Sequence, residues 1–192
     1  MNTYQVVLFL HLMSLFIGVG AATLVVVCLF RLRAAETLEQ AIPWGMLAGQ
    51  TEKAFPVSVL GLFATGAYMT SDVWTWSARW IDVSIVALVV VALQGPLVAG
   101  RRAKELERAL KENGPGPLGE RAKRMTRDPL LWVVSLGNPG IVFGIVWNMT
   151  QKPGIVTAIE AVAGGYLVGI LAASRFVKEP AVEAAPASEP AA

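Results

Sequence analysis

One long uncharged run limits what this chain can fold into. Residues 4–30 contain no Asp, Glu, Lys or Arg, and over the whole chain 55% of residues are hydrophobic and 16% are charged. A helix of about 20 apolar residues crosses the hydrocarbon core of a bilayer, and a soluble domain is typically about 25% charged. The run therefore predicts a membrane-spanning helix.

Four further apolar runs are long enough to cross a bilayer. The five predicted spans are residues 4–30, 54–70, 80–100, 129–149 and 154–177. The short apolar stretch 41–49 is expected to be an interfacial or helical lead-in to the second span. Residues 101–128 form a basic loop, and the Ala/Pro/Glu-rich residues 178–192 predict a disordered tail. The expected fold class is an all-α membrane bundle of five transmembrane helices.

The positive charges predict the direction of these spans. All but two of the 16 lysines and arginines lie in segments 31–53, 101–127 and 175–178, and the exceptions are Arg79 and Lys152. Cytoplasmic loops carry the excess of Lys and Arg. The N-terminus is therefore expected outside, the C-terminus in the cytoplasm, and the protein in the cell (cytoplasmic) membrane.

The basic loop also has a second interpretation. It could bind anionic lipid headgroups or nucleic acid, but a solvated loop that determines topology explains the same charges. We favour the topological interpretation and expect no nucleic-acid partner.

The chain has a single histidine, and it lies inside the first span. On the predicted topology His11 is about 10 Å deep, and Glu160, which enters in span five from the same side, is about 9 Å deep. An ionisable residue inside a membrane is a candidate functional site. A His–Glu pair could relay protons, hold a cation or anchor a polar ligand head. The alternatives are a structural hydrogen bond, or a Glu160 that extends to the nearby surface.

Span four is interrupted by a Gly-Asn-Pro-Gly sequence at residues 137–140. Proline removes a backbone donor and clashes with the preceding turn, and interrupted helices near the midplane often line transporter sites. Asn138 joins His11 and Glu160 as a possible intramembrane polar site. An ordinary kink, with Asn138 bonded to a neighbouring helix, is the favoured interpretation. Gln94-Gly95-Pro96 in span three is a weaker case of the same kind.

Soft metal ligands lie in the same half of the predicted bundle. Thioether and imidazole groups suit Cu(I), and the weak candidates are His11, Met13, Met69 and Met149. No metal-binding spacing organises them, so core packing is the favoured role of the methionines. Haem held by two histidines is excluded within one chain, and no catalytic motif is present.

Several short motifs resemble a known family. Residues 9–14 (FLHLMS) with 18–20 (GVG), residues 65–70 (TGAYMT) and Trp80-Ile81 resemble the integral membrane proteins grouped as domain of unknown function 2269. That group is distantly similar to the copper-resistance D membrane proteins, which also begin with a Leu-His motif before a Gly-rich stretch. The resemblance implies a small helical membrane bundle. Of the copper-resistance pattern only His11 is matched.

These observations lead to three functional hypotheses. The first is a non-enzymatic membrane component or subunit that contacts the lipid bilayer and packs against copies of itself or a membrane protein partner. The second is a copper or proton pathway that uses His11 and Glu160. The third is a site for a lipophilic cofactor, quinone or haem, shared with a partner chain. The sequence does not identify a cofactor.

Overall fold

The computed structural model describes residues 2–177, and this part of the chain is all-helical. Its α-helices, in chain order, are α1 Thr3–Ala34, α2 Leu38–Thr51, α3 Ala54–Asp72, α4 Arg79–Gln94, α5 Gly100–Asn113, α6 Glu120–Thr126, α7 Pro129–Gln151 and α8 Ile155–Val177. A π-helical turn, Gly95–Ala99, joins α4 to α5. The tail predicted at residues 178–192 lies outside the described residues.

Local signals in the sequence account for where the long helices begin. The side chain of Asn2 accepts a hydrogen bond from the Tyr4 amide, and Gln5 completes a capping box at the start of α1. Asp128 caps α7 by accepting from the Leu131 amide at 2.9 Å, with Pro129 in the first turn. Such caps satisfy amides that have no partner within the helix.

Five helical segments among residues 2–177 are long and apolar enough to cross a membrane. They contain α1, α2 with α3, α4 with α5, α6 with α7, and α8. Large apolar side chains remain exposed along them, such as Phe16 in α1, Leu60 in α3, Phe143 in α7 and Leu171 in α8, all 65–69% exposed. A surface so apolar is expected to face lipid acyl chains rather than water.

Two helix pairs make up most of the bundle. Helix α1 packs along α3, and α7 packs along α8, with α4 lying against both α7 and α8. In the second pair the backbones touch, because Gly140 of α7 faces Gly165 of α8 and Gly169 faces the backbone of Leu136. Small residues permit this close approach between helices in membranes.

The two ends of the bundle differ in character. At one end, called here the tryptophan end, Trp74 packs edge-on against Trp80 at 5.9 Å, and the ammonium of Lys152 lies 4.3 Å from the Trp74 ring centre. At the other, the basic end, α1 finishes with Arg31 and Arg33, and α5 and α6 carry most of the cations.

The basic loop expected at 101–128 is folded rather than simply solvated. Leu106, Ala109 and Leu110 of α5, Leu118, and Ala122 of α6 are all buried. They share one core cluster with buried residues of the long helices, namely Leu29, Leu32, Ala41, Leu131, Trp132 and Ala173. The alternation of charged and apolar residues in this segment therefore reflects amphipathic helices that cover the basic end.

Helices α5 and α6, with the turn between them, are called here the cap. This turn is hydrogen-bonded to the link between α1 and α2. The Leu38 amide donates to the Gly116 carbonyl at 2.9 Å, and the Leu118 amide donates to Glu36 at 2.8 Å. Gly114 and Gly116 have φ values of +70° and +103°, which residues with a Cβ rarely adopt. The Asn-Gly-Pro-Gly-Pro sequence thus ends α5 and holds the cap in place.

The two proline-containing sequences behave differently from one another. Helix α7 continues through Pro139, so the backbone there is not opened into an interrupted helix. The wider π-helical turn occurs instead at Gly95–Ala99, which includes Pro96. Proline cannot donate the usual helical hydrogen bond, and widening the turn removes the clash of its ring with the preceding turn.

Candidate functional site

His11 lies between α1 and α3, where it is 5% exposed. Its Nδ1 is 2.8 Å from the Thr65 hydroxyl oxygen, and the Thr65 hydroxyl lies 2.5 Å from the Gly61 carbonyl. Since a hydroxyl has one proton and the carbonyl can only accept, Thr65 donates to Gly61 and accepts from His11. The imidazole is therefore protonated on Nδ1 in this arrangement.

Small polar residues continue this contact along the two helices. The Ser58 hydroxyl donates to the Ser14 carbonyl at 2.7 Å, and the hydroxyls of Ser14 and Ser58 lie directly over Gly61 and Gly18 respectively. Each serine thus fills the space left by a glycine on the other helix. His11 belongs to this series, since its ring packs over Gly66. The local role of His11 is a hydrogen bond between helices.

Glu160 lies elsewhere in the bundle. It is exposed on α8 and lines a shallow groove of about 440 Å³ against Phe143 and Trp147 of α7. Helix α8 packs against α7 and α4 rather than along α1. The structure therefore does not bring His11 and Glu160 together, although they were expected at similar depth. Depth along a span does not determine which helices are neighbours.

The candidate metal ligands are divided between the two helix pairs, with His11 and Met13 on α1, Met69 on α3 and Met149 on α7. Met13 is exposed on α1, whereas Met149 packs against Ala87, Ile141 and Ile145 between α4 and α7. Within residues 2–177 there is no group of three or more His, Cys, Asp or Glu side chains placed to hold a metal ion. Met149 thus lies apart from His11, which is between α1 and α3.

An apolar groove runs between α4, α7 and α8. Its volume is about 420 Å³, and its walls are mostly aliphatic. They include Val83, Val86, Ala87 and Val90 of α4, Ile141 of α7, and Ile159, Val162, Ala163 and Tyr166 of α8. Asp82 and Gln94 also line it, and since they are 12 residues apart on α4 the groove extends about 18 Å along the helix.

Gln94 is the unusual residue of this groove. Its side-chain Oε1 is buried and has no hydrogen-bond partner. Gln94 is also the last residue of α4, directly before the π-helical turn, and such turns occur frequently at functional sites. An unpaired buried amide oxygen costs about 1–3 kcal/mol. Gln94 thus lines the groove, and its buried Oε1 lacks a donor.

Asn138 lies at a comparable depth on the neighbouring helix. Counted from the tryptophan end, Gln94 is about 22 Å along α4 and Asn138 about 20 Å along α7. The Oδ1 of Asn138 is also buried without a partner, so the expected bond from this side chain to a neighbouring helix is not made through Oδ1. The Oδ1 of Asn148 is likewise buried without a partner, but its Nδ2 donates to the Ala158 carbonyl at 3.1 Å and so joins α7 to α8.

Sequence reasoning ranked these groups differently from the structure. His11, the most unusual residue of the sequence, has a hydrogen-bond partner in Thr65. Gln94, whose buried Oε1 has no partner, was predicted only as part of the weaker of the two helix interruptions. The signal for it was present as Gln94-Gly95-Pro96, which places a polar residue directly before a disturbance of the helix.

The fold and these sites define a class, the helical membrane proteins. Within the described residues some polar side chains of the long helices join two helices, as His11 and Asn148 do, and others, such as Glu160 and Gln94, line the two grooves. No family model, curated protein or solved structure matches the chain. The resemblance to domain of unknown function 2269 and to the copper-resistance D proteins therefore stays a prediction.

Proposed function

We propose that this chain is a non-enzymatic, five-span protein of the cytoplasmic membrane that binds a lipophilic molecule in the groove between α4, α7 and α8. The N-terminus faces outside in this proposal, and the basic end faces the cytoplasm. The asymmetry of Lys and Arg between the two ends of the bundle supports this orientation.

The observation that carries the binding function is the buried, unpartnered Oε1 of Gln94, a residue that lines a mostly aliphatic groove. An apolar pocket with a small number of placed polar groups is the usual form of a ligand site. The aliphatic walls suit a hydrocarbon or isoprenoid chain, and the amide oxygen suits a head group that donates a hydrogen bond. A quinol hydroxyl, or the hydroxyl of another lipid, has this chemistry.

The groove favours a quinol over haem. Of the residue types that commonly hold haem iron, the lining includes no His, Cys or Met and a single tyrosine, Tyr166. A proton or copper pathway through His11 and Glu160 has less support, because these residues belong to different helix pairs. The third of the sequence-based hypotheses is thus the one that the geometry supports best, with the groove built by this chain itself.

The test is binding of a quinol to the purified full chain in mild detergent. We expect decylubiquinol to raise the melting temperature of the wild type, and Gln94→Leu to weaken its affinity about tenfold, the loss of about 1.4 kcal/mol expected for one hydrogen bond. Gln151→Leu, at the exposed end of α7, is the matched control and should bind like the wild type.

A second variant tests the groove without changing its polar group. Val86→Trp adds an indole to the wall of the groove and should abolish binding while the helix content stays unchanged. Equal affinities for the wild type, Gln94→Leu and Val86→Trp would show that the quinol binds elsewhere and would refute the proposal.

A further inference from the structure

Glu160 is a carboxylate on the outer surface of the apolar part of the bundle. It is exposed, and it lies five residues after the first residue of α8, about 8 Å along the helix from the tryptophan end. The side chains beside it, Val156 and Ile159, are apolar and are 65% and 52% exposed. Lipid solvates an ionised carboxylate poorly. A cation bound beside Glu160 would therefore stabilise it.

The described part of the chain does not supply that cation. None of its ion pairs includes Glu160. The two basic residues of the tryptophan end are engaged elsewhere, because the ammonium of Lys152 lies 4.3 Å from the Trp74 ring centre and Arg79 pairs with Asp82 at 3.4 Å. A cation for Glu160 thus has to come from outside the described residues.

Two aromatic side chains of α7 line the same groove as Glu160. Gly144 of α7 packs against the backbone of Ala161. Because α7 and α8 run antiparallel, this contact places Glu160 at a level between Phe143 and Trp147, which are 67% and 53% exposed. The other residues that line the groove are small, namely Gly144, Thr157, Ala161 and Gly165. The groove therefore combines one carboxylate with two accessible aromatic rings.

We propose that this groove binds a lipophilic organic cation, such as a quaternary ammonium or phosphonium ion with hydrocarbon substituents. The carboxylate supplies the opposite charge, and the faces of aromatic rings attract cations through their quadrupole. The volume of about 440 Å³ is in the range of small-molecule sites. The ammonium of a lysine is compact and strongly hydrated, whereas a cation with an apolar body can enter the groove from lipid. The proposal does not depend on the quinol groove, because the two grooves share no lining residue.

The experiment is calorimetric titration of the purified full chain with tetraphenylphosphonium in mild neutral detergent, with empty micelles as the blank. Glu160→Gln should weaken the affinity at least about tenfold, because opposite charges attract strongly where little water screens them. Phe143→Leu and Trp147→Leu should each weaken it about twofold to fivefold, as expected for one exposed cation–π contact. Asp72→Asn is the matched control. It removes a carboxylate from the exposed last residue of α3 at the same end of the bundle and should leave the affinity unchanged.

Four results would overturn the proposal. The first is a wild type that does not bind tetraphenylphosphonium. Equal weakening by Asp72→Asn and Glu160→Gln would indicate attraction to the general surface charge. Equal affinity for triphenylphosphine oxide, a neutral molecule of similar shape, would indicate adsorption to an apolar surface. A wild type that sediments as a dimer and a Glu160→Gln variant that sediments as a monomer would show that a second copy of the chain covers the groove. Gln94→Leu should leave tetraphenylphosphonium binding unchanged, which separates this test from that of the quinol groove.

Discussion

Adding a single methyl group to Gly165 tests the backbone contact between α7 and α8. A Cβ at this position would lie 2.1 Å from the Gly140 carbonyl oxygen and 2.9 Å from its carbon, whereas ordinary contacts begin at 3.4 Å. The atoms in the way belong to the backbone and cannot rotate aside. Gly165→Ala must therefore move the two helices apart by about 1 Å.

The magnitude follows from two opposing effects. Forcing an extra methyl group into a packed interface costs about 1–3 kcal/mol, and replacing glycine by alanine in a helix returns up to about 1 kcal/mol. We expect Gly165→Ala to lower the free energy of unfolding by about 1–2 kcal/mol. A Cβ added to the adjacent Gly164 would meet no packed atom within 4 Å, so Gly164→Ala should be neutral or stabilising by up to about 1 kcal/mol.

The assay is reversible unfolding of both variants in mixed micelles of mild detergent and dodecyl sulfate, followed by circular dichroism. The two substitutions add the same atoms to neighbouring positions of one helix, so helix propensity and hydrophobicity cancel in the comparison. A Gly165→Ala variant as stable as Gly164→Ala would refute the close contact between α7 and α8.

Two further predictions concern the other helix pair and the cap. The hydrogen bond between His11 and Thr65 should give a coupling energy of about 0.6–1.7 kcal/mol in a double-mutant cycle of His11→Ala and Thr65→Val. A coupling energy of zero would show that this hydrogen bond does not stabilise the packing of α1 against α3. In the cap, Leu110→Ala should cost about 2–5 kcal/mol in the same unfolding assay, whereas Leu97→Ala, at an exposed position, should cost far less. Equal costs would indicate that the cap is a solvated loop.

The apolar runs and charged residues of the sequence predicted a large share of the fold. Runs such as residues 4–30 and 129–149 lie in α1 and α7. These features are local, because hydrophobic length and helical periodicity can be read along a single segment. The burial of α5 and α6 in a shared core was not predicted, because it depends on contacts with α1, α2 and α7.

The candidate site depended on neighbours that a sequence does not specify. His11 and Glu160 were linked by depth, but α1 pairs with α3 and α8 pairs with α7. The burial of Gln94 without a partner arises from the packing of α4 against α7 and α8 and from the π-helical turn that follows it. The residue pattern along one helix does not show whether a polar side chain has a hydrogen-bond partner on another helix.

The sequence by itself determined the class of this protein, because the free energy of placing apolar and charged groups in or out of lipid adds up residue by residue along each run. Only the tertiary structure decided which polar groups are satisfied. His11 is hydrogen-bonded to Thr65, whereas the side-chain oxygens of Gln94 and Asn138 are buried without a partner. Hydrogen bonds extend over about 3 Å and therefore depend on the packing of helices that are distant in the sequence.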